Sequence, residues 1–114
     1  LAVAQSSIDF LNSACETRIG SENFRPNIVI ENTQPFAERD WQGMAVDNVE
    51  MKVVKPCQRC VIPSINPATA KREASIMPVL IEYCRKNKKI IFGQNLTFSC
   101  EQGAELKVGG VVRF

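Results

Sequence analysis

Hydrophobic residues recur every three to four positions near the start of the chain, which predicts a helix over residues 6–17. Ser6, with Asp9 three residues later, is typical of a capping box at the beginning of such a helix. Four residues fall on the face that we expect to be buried: Ile8, Leu11, Ala14 and Cys15.

The pattern then changes to a period of two, which is typical of half-buried strands. Residues 25–30 are predicted to form a β-branched strand led in by a proline, and residues 60–62 a second short strand. Between residues 49 and 54, Val49, Met51 and Val53 alternate with residues of the opposite face. Residues 32–43 are predicted to be a polar loop.

The second half of the chain predicts another helix and three closing strands. The helix covers residues 76–85, with Pro78 tolerated in its first turn and with Leu80, Ile81 and Cys84 facing the core. The strands cover residues 90–92, 95–100 and 106–114, and glycines mark turns or bulges around them. We therefore expect a mainly β (α+β) fold, a closed or nearly closed β-barrel with about two flanking helices.

Composition limits the chain to one soluble globular domain, which we expect to span residues 1–114. Its 114 residues are 45% hydrophobic and 23% charged, and the formal net charge is +2. This charge indicates neither a nucleic-acid partner nor a membrane partner. The basic run at residues 85–89 follows the second predicted helix, so a solvated last turn is favoured over a phosphate-binding patch.

The cysteines predict a reducing compartment, which we take to be the cytoplasm. There are five, an odd number without regular spacing, which argues against a secreted disulfide scaffold. The chain contains no histidine, so imidazole catalysis and mixed Cys/His zinc sites are excluded. Three of the cysteines are expected to be buried thiols on apolar faces: Cys15, Cys84 and Cys100.

The segment Lys55-Pro56-Cys57-Gln58-Arg59-Cys60 carries the candidate chemistry, and its cysteine spacing leaves four interpretations open. A structural zinc site would need ligands from a second pair. A redox pair normally opens a helix, whereas β-branched residues follow here. The two sulfurs could instead pack as small core residues, or one thiolate could bind a cofactor-borne metal while Arg59 neutralises the anionic groups of that cofactor.

Three segments, in order, resemble the MOSC domain, the C-terminal module of molybdenum-cofactor sulfurases. The resemblance is to the branch of the mitochondrial amidoxime-reducing components and their bacterial relatives, and it spans essentially the whole chain. Phe24 to Val29, with the Pro35-Phe36-Ala37-Glu38 and Trp41 that follow, is the first segment. Lys55 to Cys60 is the second, and Phe92-Gly93-Gln94-Asn95 is the third.

This resemblance implies a molybdenum-cofactor-binding domain from a reductase of N-hydroxylated compounds. It implies that Cys60 is the thiolate bound to molybdenum and the catalytic residue. It also implies that Arg25 and Asn27 line the cofactor pocket and that Gln58 and Arg59 lie against the pterin and its phosphate. One alternative is a non-catalytic module that uses Cys60 to carry sulfur or to dock the cofactor. Another is a degenerate domain that binds nothing and in which the cysteine pair is structural.

The resemblance also implies further regions of the protein that are not found in this sequence. Relatives have an upstream β-rich region, and many bacterial ones have a ferredoxin domain. No C-x4-C-x2-C run is present, so the expected electron source is an external donor of ferredoxin or flavin type, acting on a small N-hydroxylated substrate. The family's two threonines and Asp-Pro after the second cysteine are replaced by Pro63-Ser64 and Asn66-Pro67.

Four residues outside the cysteine segment have simpler interpretations. Phe36 and Trp41 are expected to anchor their loop on the core rather than to stack on a substrate. Glu38 and Asp40 are expected to be solvated loop charges, because no second carboxylate is placed to form an acid–base pair with either.

Overall fold

A computed structural model describes residues 1–59, 69, 75–99 and 103–114. Within these residues, a six-stranded sheet curls into a half-barrel and carries two helices, which confirms the mainly β (α+β) fold. The helices are α1 (Gln5–Ser13) and α2 (Ile76–Cys84). The strands are β1 (Ala2–Ala4), β2 (Ile28–Ile30), β3 (Gly43–Val46), β4 (Val49–Arg59), β5 (Arg85–Lys86) and β6 (Lys89–Ser99).

The sheet is built around the long antiparallel pair of β4 and β6. The strand order is β2-β1-β6-β4-β3, and β5 pairs with β6 as a short hairpin. The alternation predicted for residues 49–54 is confirmed, since Val49 and Met51 are buried while Glu50 and Lys52 are exposed. The strand continues to Arg59, so the segment before Cys60 is extended and paired.

Two bulges interrupt this pair where the motif segments lie. Val54 is the extra residue between the pairs Val53–Leu96 and Lys55–Asn95. Three residues further along β4, Cys57 lies opposite both Phe92 and Gly93, and Gly93 has a φ of +85°. A glycine in this conformation is typical of a G1 bulge, which bends the strand and increases its twist. The predicted strands 90–92 and 95–100 are therefore parts of one strand rather than two, as far as Ser99.

The first strand is absent from the sequence predictions, although it lies in the middle of the sheet. Ala2, Val3 and Ala4 are fully buried, pair in parallel with β2 and contact β6 through Ala2 and Gln94. β2 is shorter than predicted, because Arg25 has a φ of +53° and the extended pairing starts only at Ile28.

The first helix is shorter than predicted and is not capped by a side chain. It ends at Ser13, so Ala14 is exposed rather than buried. The capping box at Ser6 and Asp9 is wrong: Asp9 instead accepts a hydrogen bond from Gln5 Nε2 at 2.9 Å.

The second helix is confirmed within one residue, but the segment after it differs from the prediction. Leu80 and Cys84 are buried as expected, whereas Ile81 is 44% exposed. Arg85 and Lys86 form β5 instead of a last helical turn, and Asn87 and Lys88 both take positive φ to reverse the chain. Two positive φ values in a row are typical of the type I′ hairpin turn.

The core has two separate parts. The larger part is formed mainly by the helices and the motif phenylalanines: Val3, Ile8, Leu11, Ile19, Phe24, Ile76, Val79, Leu80, Cys84 and Phe92. The smaller part is Ile30, Met44, Val46, Val49 and Met51. Trp41 packs on the smaller part and stacks on Phe114 at 5.4 Å between ring centroids, and Phe36 packs on the larger, so both loop anchors are confirmed.

The remaining differences concern the loop and the C-terminal residues. The predicted loop 32–43 contains a 3-10 helix, Ala37–Asp40, and its last residue already belongs to β3. Of the predicted strand 106–114, only Arg113 pairs with the sheet, through a bridge to Ala45. The predicted strand 60–62 and the loop around Pro63 and Pro67 lie outside the described residues. No helix among the described residues has the length and apolar content needed to cross a membrane.

Candidate functional site

The three motif segments are separated in the chain but meet at the side chain of Arg59. Its Nε donates to the carbonyl oxygen of Phe92 at 3.1 Å, and its Nη1 donates to the carbonyl oxygen of Phe24 at 3.0 Å. Hydrogen bonds from a charged donor are stronger than those between neutral groups. Arg59 therefore fixes the end of β4, immediately before Cys60, against both of the other segments.

A pair of buried aromatic rings supports this contact. Phe24 and Phe92 are each less than 3% exposed, and their ring centroids lie 4.3 Å apart. The guanidinium carbon of Arg59 is 5.4 Å from the centroid of Phe24, within the range of a cation–π interaction. The aromatic positions of the first and third segments thus hold the backbone carbonyls that Arg59 binds.

The other predicted cofactor-binding residues lie at the surface. The side chains of Arg25, Asn27 and Gln58 are exposed. Asn27 Oδ1 accepts a hydrogen bond from the backbone nitrogen of Leu1 at 2.9 Å, which leaves its amide nitrogen available. Neither Arg25 nor Gln58 makes a side-chain hydrogen bond to any described residue. A guanidinium and two amides therefore present N–H donors to solvent in the segments that Arg59 ties together.

The predicted metal ligand, Cys60, lies outside the described residues. Cys57 is half-buried, and its Sγ is 3.7 Å from the carbonyl oxygen of Gln58. In the described part of the chain, no group of three or more cysteine, aspartate or glutamate side chains is arranged to hold a metal ion.

Two of the three cysteines predicted as core thiols can be placed. Cys84 is buried, and burial raises the pKa of its thiol to about 11, so it is a neutral core residue as expected. Cys15 is only half-buried; it packs at the edge of the larger core, with its Sγ 3.5 Å from the backbone oxygen of Ser75. Cys100 lies outside the described residues.

Glu38 is buried, and the prediction that it is a solvated charge is wrong. It is 2% exposed, and the hydroxyl of Ser7 donates to its Oε2 at 2.7 Å. Burial raises the pKa of its carboxyl group, and the hydrogen bond from Ser7 opposes that shift only in part. Asp40, by contrast, is exposed as expected.

Ser7 and Gln94 each donate a hydrogen bond to Glu38. Ser7 Oγ also accepts a hydrogen bond from the backbone N–H of Phe36 at 2.7 Å, so one hydroxyl joins α1 to the loop. Gln94 is 4% exposed, and its Nε2 donates to the backbone oxygen of Glu38 at 2.7 Å. Gln94 belongs to the third motif segment, Phe92-Gly93-Gln94-Asn95.

A cavity of about 590 Å³ opens beside this group. Its wall includes Glu38, Gln94 and basic residues of the β5–β6 hairpin. Arg25, Asn27, Gln58 and Arg59 are not part of the described wall, although Phe92 and Pro56 from the same motif segments are. The size is that of a small-molecule site.

Comparison with known proteins identifies the family. The model of the MOSC domain family matches residues 1–113. The chain belongs to the MOSC domain family. The resemblance carried by the three motif segments is therefore confirmed over nearly the whole chain.

The similar curated proteins are mitochondrial amidoxime-reducing components and a molybdenum cofactor sulfurase. Human mitochondrial amidoxime-reducing component 1 is 29% identical over 98% of this chain and 35% of the relative. Bovine mitochondrial amidoxime reducing component 2 has the same identity and the same coverage. The molybdenum cofactor sulfurase of Caenorhabditis briggsae is 34% identical over 80% of this chain and 13% of the relative. The chain thus spans about a third of the length of the amidoxime-reducing relatives.

Proposed function

We propose that this MOSC domain binds the molybdenum cofactor, with Cys60 as the thiolate ligand of the metal, in a reductase of N-hydroxylated compounds. The family and the names of its relatives support the association with the cofactor. The observation that carries the proposal is the position of Arg59, whose bonds to Phe24 and Phe92 bring three separated motifs to the residue before Cys60.

The residues at this place fit the cofactor. A pyranopterin phosphate is a dianion, and guanidinium and amide N–H groups are good donors to its oxygens. Arg25, Gln58 and the amide nitrogen of Asn27 are exposed donors without a partner among the described residues. A thiolate is a soft ligand that suits a transition metal, and one protein sulfur is sufficient when the cofactor brings the other ligands.

Each residue would then have a distinct task. Arg25, Asn27 and Gln58 would bind and orient the anionic end of the cofactor, and Cys60 would hold the metal. Arg59, already bonded to two backbone carbonyls, would fix the end of β4 that directly precedes Cys60 in the chain. When bound, the cofactor would supply the redox chemistry, and the chain would supply placement and electrostatics.

The partners follow from this chemistry. Reduction of an N–O bond consumes two electrons and two protons, and an external donor of ferredoxin or flavin type would supply the electrons. The substrate would be a small N-hydroxylated compound. We place the protein in the cytoplasm because its cysteines indicate a reducing compartment, while two of the relatives above are named as mitochondrial.

The test is reduction of an aryl amidoxime by the complete, cofactor-loaded protein. Dithionite-reduced viologen serves as the electron source, so that the natural donor is not needed. We expect the amidine product from the wild type, none from Cys60→Ser, and product from the matched control Cys57→Ser. Loaded protein that forms no amidine would contradict the reductase part of the proposal.

A further inference from the structure

Glu38 and Gln94 each keep one buried side-chain oxygen without a hydrogen-bond donor. The two residues are 2% and 4% exposed. Glu38 Oε1 and Gln94 Oε1 are closed to solvent and have no hydrogen-bond partner among the described residues. Buried polar atoms are nearly always paired, so two unpaired acceptors on residues that already contact each other need an explanation.

The donors next to these two oxygens are already used. The hydroxyl of Ser7 has one proton, which it donates to Glu38 Oε2, and its oxygen accepts from the backbone N–H of Phe36. Gln94 Nε2 donates to the backbone oxygen of Glu38 at 2.7 Å. Turning this amide over would bring two acceptors together, so the observed bond fixes which end of the amide is oxygen. An acceptor therefore remains on each side chain.

The groups around Glu38 offer no buried counter-charge for an ionised carboxylate. Arg39, the next residue of the 3-10 helix, is exposed and donates through Nη2 to the backbone oxygen of Tyr83. On α2, Cys84 is buried, and its thiol pKa of about 11 keeps it neutral. Asp9 on α1 is exposed, and neither β1 nor the buried part of β6 carries a titratable side chain. An isolated carboxylate in such a place is costly, and proteins usually avoid the cost by keeping the carboxyl group protonated.

A proton on Glu38 supplies the missing donor without any added group. With the proton on Oε1, the carboxyl group still accepts from Ser7 through Oε2, and Oε1 becomes a donor. The acceptor that needs this donor is on the amide of Gln94, which already lies against residue 38. The direction of the pKa agrees, because burial raises it more than the bond from Ser7, nearby backbone N–H groups and the charge of Arg39 lower it.

We propose that Glu38 holds a proton on Oε1 in the folded protein and donates it in a hydrogen bond to Gln94 Oε1, so that a neutral acid joins the first motif segment to the third. Gln94 follows the bulge glycine, Gly93, and lies two residues after Phe92, whose carbonyl oxygen binds Arg59. Glu38 is thus a positioning residue for the segment that Arg59 contacts. This role does not depend on molybdenum binding or on the proposed reductase activity.

Infrared spectroscopy of the complete protein detects the proton, because the C=O stretch of a neutral carboxyl group is separate from the stretches of a carboxylate. At about pH 6, exposed carboxyl groups with ordinary pKa values of about 4 are ionised. We expect the difference spectrum between the wild type and Glu38→Gln to contain a neutral-carboxyl band at this pH, and the band should be lost as pH rises. Asp40→Asn, which removes an exposed carboxyl group, is the matched control and should give no such band. Absence of the band from the Glu38→Gln difference would overturn the proposal.

Nuclear magnetic resonance of the wild type identifies the acceptor without a substitution. If Glu38 donates to Gln94, the side-chain amide resonances of Gln94 should shift with the same pH midpoint as the infrared band. Gln58 has an exposed side chain and serves as the control, which should show no shift at that midpoint. A Gln94 amide that does not respond at the midpoint would contradict the pairing.

The Nε nitrogen of Arg59 reports whether Glu38 positions the third segment. It lies 3.1 Å from the carbonyl oxygen of Phe92, so its resonance should also shift when loss of the proton leaves Gln94 Oε1 without a donor. In Glu38→Gln, whose amide keeps a neutral donor toward Gln94, this shift should be absent. The exposed Arg25 is the control and should not respond in either protein. An Arg59 resonance that stays constant through the midpoint, or that still titrates in Glu38→Gln, would rule out the positioning role.

Discussion

Arg59 donates a hydrogen bond through Nη1 to the carbonyl oxygen of Phe24, and this 3.0 Å contact joins residues that are 35 positions apart. The same guanidinium binds the carbonyl oxygen of Phe92. Both acceptors are main-chain atoms, so the contact depends on where the backbone passes rather than on a second charged side chain. Arg59 is thus a structural centre of the site as well as part of the cysteine motif.

Replacement of Arg59 by lysine should destabilise the domain. Lysine keeps the positive charge but cannot reach two carbonyls with the fixed fork of a guanidinium. We expect the free energy of unfolding to fall by about 1–3 kcal/mol, the range for loss of hydrogen bonds from a charged group. Urea denaturation followed by circular dichroism measures this change.

The matched control is Arg25→Lys. Arg25 is exposed and makes no side-chain hydrogen bond to a described residue, so its replacement should leave the unfolding midpoint unchanged. Equal stability losses in the two variants would show that Arg59 has no special structural role.

Much of the sheet can be predicted because burial imposes a regular pattern on long strands. Val49 and Met51 alternate with exposed charged residues, and this alternation identifies β4. A strand of three residues is too short to show such a pattern. β1 is buried on both faces, so its sequence is only a short apolar run. The bonds of Arg59 are equally invisible in sequence, because their acceptors are backbone carbonyls, which every residue carries.

Gly93→Ala should be among the most destabilising single changes in this domain. Gly93 has a φ of +85°, and an added Cβ would lie 2.8 Å from Leu1 Cδ1 and 2.9 Å from Val3 Cγ1. Backbone strain of about 1–2 kcal/mol therefore adds to a steric conflict with buried β1. We expect the free energy of unfolding to fall by about 2–4 kcal/mol, which is measured by urea denaturation.

Gly109→Ala separates strain from steric conflict. Gly109 has a φ of +90°, but an added Cβ would meet no atom within 4 Å. Its replacement should lower the free energy of unfolding through backbone strain alone, by about 1–2 kcal/mol. If Gly109→Ala lowered the free energy of unfolding as much as Gly93→Ala, contact with β1 would not be the reason for glycine at the bulge.

Glu38 should make stability depend on pH in the direction opposite to an ordinary carboxylate. Burial raises its pKa above the ordinary value of 4.5, so the folded protein retains this proton at pH values where the unfolded chain has lost it. The stabilisation linked to Glu38 is therefore fully present below about pH 4.5 and is lost as pH rises through the folded pKa. The Glu38→Gln variant should not show this decrease in stability as pH rises.

The measurement is the free energy of unfolding from pH 4 to pH 8 for both proteins, compared by difference so that other groups cancel. Asp40→Asn is the matched control, since Asp40 is exposed two residues away and its removal changes the net charge equally. If the difference in free energy of unfolding between the wild type and Glu38→Gln stayed constant with pH, Glu38 would not titrate within this range.

The loop around Glu38 shows why the burial of this side chain was not predicted. Glu38 is followed by an arginine and an aspartate in a polar loop, and such a sequence is typical of a solvated turn. Its burial depends on Ser7, 31 residues earlier, and on Gln94, 56 residues later, neither of which gives a local signal. The hairpin at residues 85–89 was misassigned for a related reason, since basic residues after a helix also suit a last helical turn.

The most direct test of the central claim is the molybdenum content of the complete protein from a cofactor-competent host. Elemental mass spectrometry would compare the wild type with Cys60→Ser, and with Cys57→Ser as the matched control. The account predicts near-stoichiometric molybdenum in the wild type and in Cys57→Ser, and its loss in Cys60→Ser. Absence of molybdenum from all three proteins, or equal molybdenum in Cys60→Ser and the wild type, would contradict it.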